Sequence, residues 1–207
     1  MPVSPANELT KGMTEMSLNR SGGTDVGGYD AVARGFHWLV VLLMAVQFAI
    51  AWTMPEIHRG VRPDGLIGWH LSVGALILLV MLARLAWRLT HRPPPAPRDL
   101  STPLRLLARL THYGLYTALL VLPFLGWANA SARGWPVSLF GVLPLPALAS
   151  TGSNFGHAAG DVHKVLATAL LVLIGLHLSG AAFHALVLRD GVLRRMLPRA
   201  ASHPGRR

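Results

Sequence analysis

The stretch from Gly160 to Arg189, GDVHKVLATALLVLIGLHLSGAAFHALVLR, is nearly all apolar, yet it carries His163, His177 and His184. An ionisable side chain in so apolar a run is costly and usually faces a bundle interior with a task to perform. Fourteen residues separate His163 from His177. On a helix that is about four turns, so the imidazoles share one face, offset by roughly 40° and ~21 Å along the axis. Neutral imidazole is a common axial ligand for haem iron. Such a helix can give one ligand to each of two stacked haems while other helices supply the opposing ligands.

The elements that would position those ligands are readable from composition. Apolar residues make up 52% of the 207-residue chain and charged residues only 14%. The apolar residues fall into four blocks, Phe36–Met54, Leu66–Leu89 (interrupted by Arg84 and Arg88), Leu110–Ala130 and Val162–Leu188. Each is close to the ~20 residues that cross a hydrocarbon core. The first helix is expected to start near Asp30 and to end at Met54-Pro55. The connection after Arg88 is stiffened by prolines and kept wet by arginines. The segment Ser131–Gly156, rich in Trp, Phe, Pro and Gly, is expected to lie along the surface as a lid. The fold class is therefore all-α: an integral membrane four-helix bundle over residues 30–190, with two non-covalent haems between the helices. Residues 1–29 read as a disordered cytoplasmic arm and 191–207 as a basic cytoplasmic tail.

Cysteine is absent. That excludes disulfides, thiolate metal sites, iron–sulfur clusters and covalent c-type haem, leaving histidine or methionine to hold any haem. The net charge of +10 would suggest nucleic acid in a soluble protein; beside membrane spans it sets orientation instead, and no nucleic-acid partner is expected. Of the 19 Lys and Arg, 15 fall in the arm, the second connection and the tail, against 4 (Arg59, Arg62, Arg133, Lys164) on the other side. The positive-inside rule then places both termini in the cytoplasm.

Depth pairs the histidines. His70 and His163 each open a helix that runs inward, so both lie near the outer surface. His37 opens an outward-running helix and lies near the inner surface, at the depth of His177. The expected axial pairs are His70–His163 for an outer haem and His37–His177 for an inner haem. His184 competes for the inner site, but it would set the two ligands of its helix ~31 Å apart, the whole hydrocarbon thickness. His112, at the inner end of the third helix, either bonds a haem propionate or a quinone or is a plain interfacial histidine. His58, His91 and His203 read as solvated, and His157 as lying on the outer shoulder of the fourth span. Small residues near the ligands (Gly74, Ala167, Gly175, Gly180) suit a flat macrocycle, and suit helix contacts equally.

With these pieces in place the chain resembles the bacterial cytochrome b561 family over about Tyr29 to Arg199. The matching motifs are R-G-F-H-W-L, I-G-W-H-L-S-V-G, L-T-H-Y-G-L-Y, V-H-K-V-L-A-T and I-G-L-H, then R-D-G-V-L-R-R-M-L-P. The resemblance implies a four-helix membrane protein with two haem b groups, their iron ligands falling on His37, His70, His163 and His177. It further implies electron transfer to or from membrane quinone in the bacterial inner membrane. Some members oxidise superoxide at the outer face and reduce ubiquinone, which would make the chain a superoxide:ubiquinone oxidoreductase. Related subunits instead anchor hydrogenases or formate dehydrogenases and work with a redox partner protein; the compact outer loops favour a stand-alone protein. A histidine-lined proton or metal carrier is a third reading, disfavoured because carriers show repeats and broken helices at mid-membrane.

One further expectation concerns the outer entrance. Arg59 and Arg62 precede His70 and Lys164 follows His163, so these cations should gather at the edge of the outer haem. They would neutralise its propionates or attract a small anion such as superoxide.

Overall fold

The structure, a computed structural model, describes residues 29–58, 60–91 and 101–197. Expectations for residues 1–28, for Arg59, for the proline-rich connection at 92–100 and for residues 198–207, His203 among them, lie outside the described residues. Four helices are long and apolar enough to cross a membrane: α1 (Ala31–Thr53), α2 (Leu66–Thr90), α3 (Thr102–Ala132) and α4 (Asn154–Phe183). The fourth continues through a π turn, His184–Leu188.

Asp30 begins α1 as its N-cap, accepting from the Ala33 N–H at 2.7 Å. Its other oxygen accepts from Trp87 Nε1 at 3.2 Å, which ties the start of α1 to the end of α2. Pro55 follows the Met54 C-cap and stops α1 where the sequence expects it.

Two helices start earlier than expected. For α3, Ser101 is the N-cap and Pro103 sits in the first turn, where its missing N–H costs nothing. The arginines after it do not break a helix, so α3 runs from Thr102 through them. For α4, the Ser153 side chain caps by accepting from Gly156 N. The first turns then fit because Gly156 and Gly160 lie against α3. A Cβ on Gly156 would collide with Ala132, and one on Gly160 would fall 2.6 Å from the Asn129 side chain. Small residues that let two backbones approach are the usual glue of membrane helices.

The lid is thereby shortened to residues 133–153 and is more ordered than expected. It contains β1 (Ser138–Leu139) and β2 (Leu143–Pro144), an antiparallel hairpin. Ser72, buried on α2, donates to the Ser138 carbonyl at 3.1 Å and accepts from Phe140 N at 3.3 Å. Ser131 Oγ accepts from Leu148 N at 3.1 Å. The hairpin is thus pinned over one end of the bundle, and the start of α1 and the turn after α4, joined by the Trp38–Met196 bond, lie at the other.

Close backbone contacts run α1–α2, α2–α3 and above all α3–α4, with no comparable contact between α1 and α4. The shared core is Val40, Val73, Ile77, Met81, Ala118, Leu119, Leu122 and Leu170. Leu170 is 1% exposed and lies midway in sequence between His163 and His177.

Candidate functional site

The four depth-matched histidines meet as two pairs, one at each end of the bundle. At the hairpin end the rings of His70 and His163 have centroids 6.2 Å apart and planes inclined at 71°. At the terminal end His37 and His177 stand 6.3 Å apart at 69°. A metal–imidazole bond is about 2.0–2.1 Å and the ring centre lies roughly 1.2 Å beyond, so imidazoles on opposite sides of one metal have centroids about 6.4 Å apart. Both pairs stand at that separation.

Among the described residues no three His, Asp or Glu side chains converge on a bare metal ion. Two nitrogens per site suit a metal whose other positions a macrocycle fills, as in haem. Such a group would lie between α1 and α4 at one end and between α2 and α4 at the other, where the paired rings stand. Gly175 and Gly180, beside His177, have nothing within 4 Å of an added Cβ.

Hydrogen bonding orients the hairpin-end histidines. His163 Nδ1–H donates to the Leu122 carbonyl at 2.9 Å, leaving Nε2 for a metal in the usual outer-shell pattern. Leu122 immediately precedes Pro123, the proline inside α3. Gly126 lets the ring sit close: a Cβ there would come within 3.2 Å of His163 Cε1. Gln47 lies against His70, donating to its backbone carbonyl at 3.1 Å with the same nitrogen 3.3 Å from Nε2. His70 Nδ1 and Gln47 Oε1 are both buried without a partner. A metal bond at one imidazole nitrogen leaves the other to carry the proton. The residues therefore fit a bis-histidine haem.

The terminal end is built differently. His112, exposed on α3, puts its ring 5.1 Å from His177, edge to face, and donates from Nδ1 to the Ala108 carbonyl at 2.6 Å. Arg84, half-buried on α2, donates from Nε to the Tyr116 hydroxyl at 3.0 Å. His184 joins neither pair. Its Nδ1 contacts Asp190 Oδ2 at 2.6 Å, while Asp190 Oδ1 accepts from Val192 N at 3.1 Å. The chain then folds back, and Trp38 Nε1 donates to the Met196 carbonyl at 2.8 Å. His184 thus closes the end of α4.

The remaining sequence candidates scatter. Lys164 is 80% exposed and faces Asp161 at 3.9 Å. Arg62 and His58 are exposed in the loop before α2, and His157 is exposed in the first turn of α4. His91 is also exposed, but stacks on Trp87 at 3.6 Å. Gln47, Gly126, Ser72 and the Arg84–Tyr116 pair were not legible as site residues. Only Arg84, a charge in an apolar block, carried a signal that could have found it.

Residues 28–199 match the profile of the family described as Prokaryotic cytochrome b561. The chain belongs to that family. It is a multi-pass membrane electron-transfer protein of the cytochrome b type, which implies haem b. Cytochrome b561 homolog 2 of Escherichia coli (strain K12) is 31% identical over 185 residues, 86% of this chain and 95% of the relative. Probable superoxide oxidase CybB of Yersinia pestis is 32% identical over 175 residues, 83% and 96%. Cytochrome b562 of Cereibacter sphaeroides is 26% identical over 179 residues, 84% and 98%.

Proposed function

We propose that this cytochrome b561 holds two haem b groups, His70–His163 at the outer face and His37–His177 at the inner face, and oxidises superoxide with ubiquinone as acceptor. The observation that carries the reading is the pair of imidazole couples at opposite ends of α4, each at bis-histidine spacing. The likeness to a probable superoxide oxidase supports the donor. The excess of basic residues at the terminal end supports an inner-membrane protein with cytoplasmic termini.

Haem iron, when bound, supplies reversible one-electron chemistry. The balance is two superoxide anions giving two dioxygen molecules and two electrons, which with two protons convert one quinone to quinol. The chain's own contribution is positional. The Leu122 carbonyl and Gln47 orient the outer ligands, and the hairpin pinned by Ser72 covers that end. The apolar core around Leu170 excludes water between the two levels.

The test uses purified protein given a steady superoxide source and then a soluble ubiquinone analogue. The expected result is reduction of the haem spectrum by superoxide and its reoxidation by quinone, with one quinol formed per two superoxides. A spectrum that superoxide leaves oxidised would sink the proposed donor.

A further inference from the structure

We infer that Arg84 is the fixed counter-charge of the terminal-end haem: its guanidinium binds a propionate there and makes that haem the easier of the two to reduce. The inference rests on the two-haem reading above. Arg84 lies about 27 Å along α2 from Leu66, near the far edge of a ~30 Å hydrocarbon core. A half-buried cation at that depth is costly unless an anion answers it.

Among the described residues no carboxylate pairs with Arg84; the ion pairs are Lys164–Asp161 and His184–Asp190. Tyr116, which accepts from Arg84 Nε and lies under the guanidinium at 5.6 Å, is neutral. It fixes the group in place and leaves the terminal nitrogens without a hydrogen bond to a described residue. That planar fork suits a carboxylate, bound through two parallel bonds. Arg34, at the same end, is engaged with the Tyr29 carbonyl at 2.8 Å.

Placement makes the effect one-sided. Arg84 bonds Tyr116, one turn beyond His112, whose ring stands 5.1 Å from His177, whereas Lys164, next to His163, is 80% exposed and faces Asp161. The hairpin-end ligand is accompanied by a neutral carboxamide, Gln47. Reduction lowers the positive charge of a haem by one, so a fixed cation beside it favours the reduced form. The sequence thereby sets a direction, drawing electrons from the hairpin end toward the terminal end.

The experiment is a spectroscopic redox titration of whole purified protein: wild type, Arg84→Gln and Arg84→Lys. The component surviving in His163→Ala protein identifies the terminal-end haem. In Arg84→Gln that component is expected to lose about tenfold in its reduced-to-oxidised ratio at fixed potential, 59 mV for one electron. The other component should stay put and Arg84→Lys should retain most of the effect. Haem lost from the Gln protein but kept by the Lys protein also supports the counter-charge. Equal shifts of both components, no shift, or haem loss from both variants overturns it. A wild-type titration with one haem component also overturns it, whereas a pyridine-haemochrome count of one haem per chain would instead remove the two-haem reading itself.

Discussion

The two histidine pairs have nearly the same ring separation and inclination, yet the surroundings that hold them differ in kind. At the hairpin end each ring is gripped: His163 by a backbone carbonyl and a glycine-sized gap, His70 by the Gln47 carboxamide. A structured hairpin covers that end. At the terminal end neither His37 nor His177 makes a hydrogen bond to a described residue, and the neighbours are a fixed cation and a second imidazole, His112. One end is specified by shape and hydrogen bonds, the other by charge. Outer-shell hydrogen bonds govern ligand geometry and affinity, while a nearby charge governs how readily the site accepts an electron. A shared ligand motif can therefore serve two roles in one helix.

The largest expected effect breaks the pairing itself. Wild-type protein should give two haems per chain by pyridine haemochrome, and His163→Ala or His177→Ala should each give one. The spectra of the two single-haem proteins should differ, and adding His70→Ala to His163→Ala should cause no further loss. A second loss in that double variant would show that the rings do not share one metal.

A sharper and smaller test exploits the grip on His163. In Gly126→Ala the added Cβ would stand 3.2 Å from His163 Cε1 and 3.3 Å from Nδ1, displacing the ring against its bond to Leu122. Perturbing a ligand's outer shell typically costs about 10- to 100-fold in metal affinity, and the lower figure applies to so small a shift. Haem titration into the apo-protein should show the hairpin-end site weakened about tenfold and the terminal-end site unchanged. Weakening of both sites alike would mean a general loosening of α3 on α4.

The terminal end has its own polar clasp, and its weakness should appear in acid. Burial pushes the Asp190 carboxyl up, but hydrogen bonds from the His184 side chain and the Val192 N–H outweigh it and hold the group below its ordinary value of 3.8. A carboxyl whose folded value is depressed contributes stability above that ordinary value and loses it as the pH falls through the depressed one. Protection of the Val192 amide from hydrogen exchange, relative to its intrinsic rate, should be flat above pH 3.8 and decline below it. Asp190→Asn should lower protection at neutral pH by roughly fivefold, the equivalent of one ordinary hydrogen bond at ~1 kcal/mol. Unchanged protection in that variant would show that the carboxylate does not hold the turn.

The four paired histidines were legible because a fourteen-residue spacing and the direction of each helix fix both face and depth. The Asp30 cap and the Pro55 stop were legible for local reasons too. What escaped the sequence depends on contacts between distant segments. Ser72 meets the hairpin 66 residues later, and Gly126 matters only because His163, on another helix, leans over it. Arg84 was read only as an interruption of the second apolar block. That it is half-buried and bonded to Tyr116 depends on α3 packing there. The early start of α4 at Asn154 likewise needed Ala132 and Asn129 opposite its glycines.

The smallest expected effect concerns the approach of an anion to the hairpin end. Lys164 follows His163, but α4 begins at Asn154, so Lys164 stands about three turns in, beyond the reach of the helix dipole. It is also 80% exposed, with Asp161 at 3.9 Å, so solvent and the carboxylate both blunt it. Arg62 is exposed as well. A fixed cluster of one sign can raise on-rates by ~10-fold or more, and this arrangement falls short of one. The combined variant Arg59→Ala, Arg62→Ala, Lys164→Ala should slow haem reduction by superoxide by roughly threefold at low ionic strength, the gap closing as added salt shortens the screening length to about 8 Å. Removing Asp161 alone, as Asp161→Asn, should move the rate the other way, because it uncovers Lys164 without touching a ligand. A triple variant with wild-type rates at every salt concentration rules out steering. Loss of the hairpin-end haem would show instead that these cations answer its propionates, and the two ends would then differ less in charge than Arg84 alone suggests.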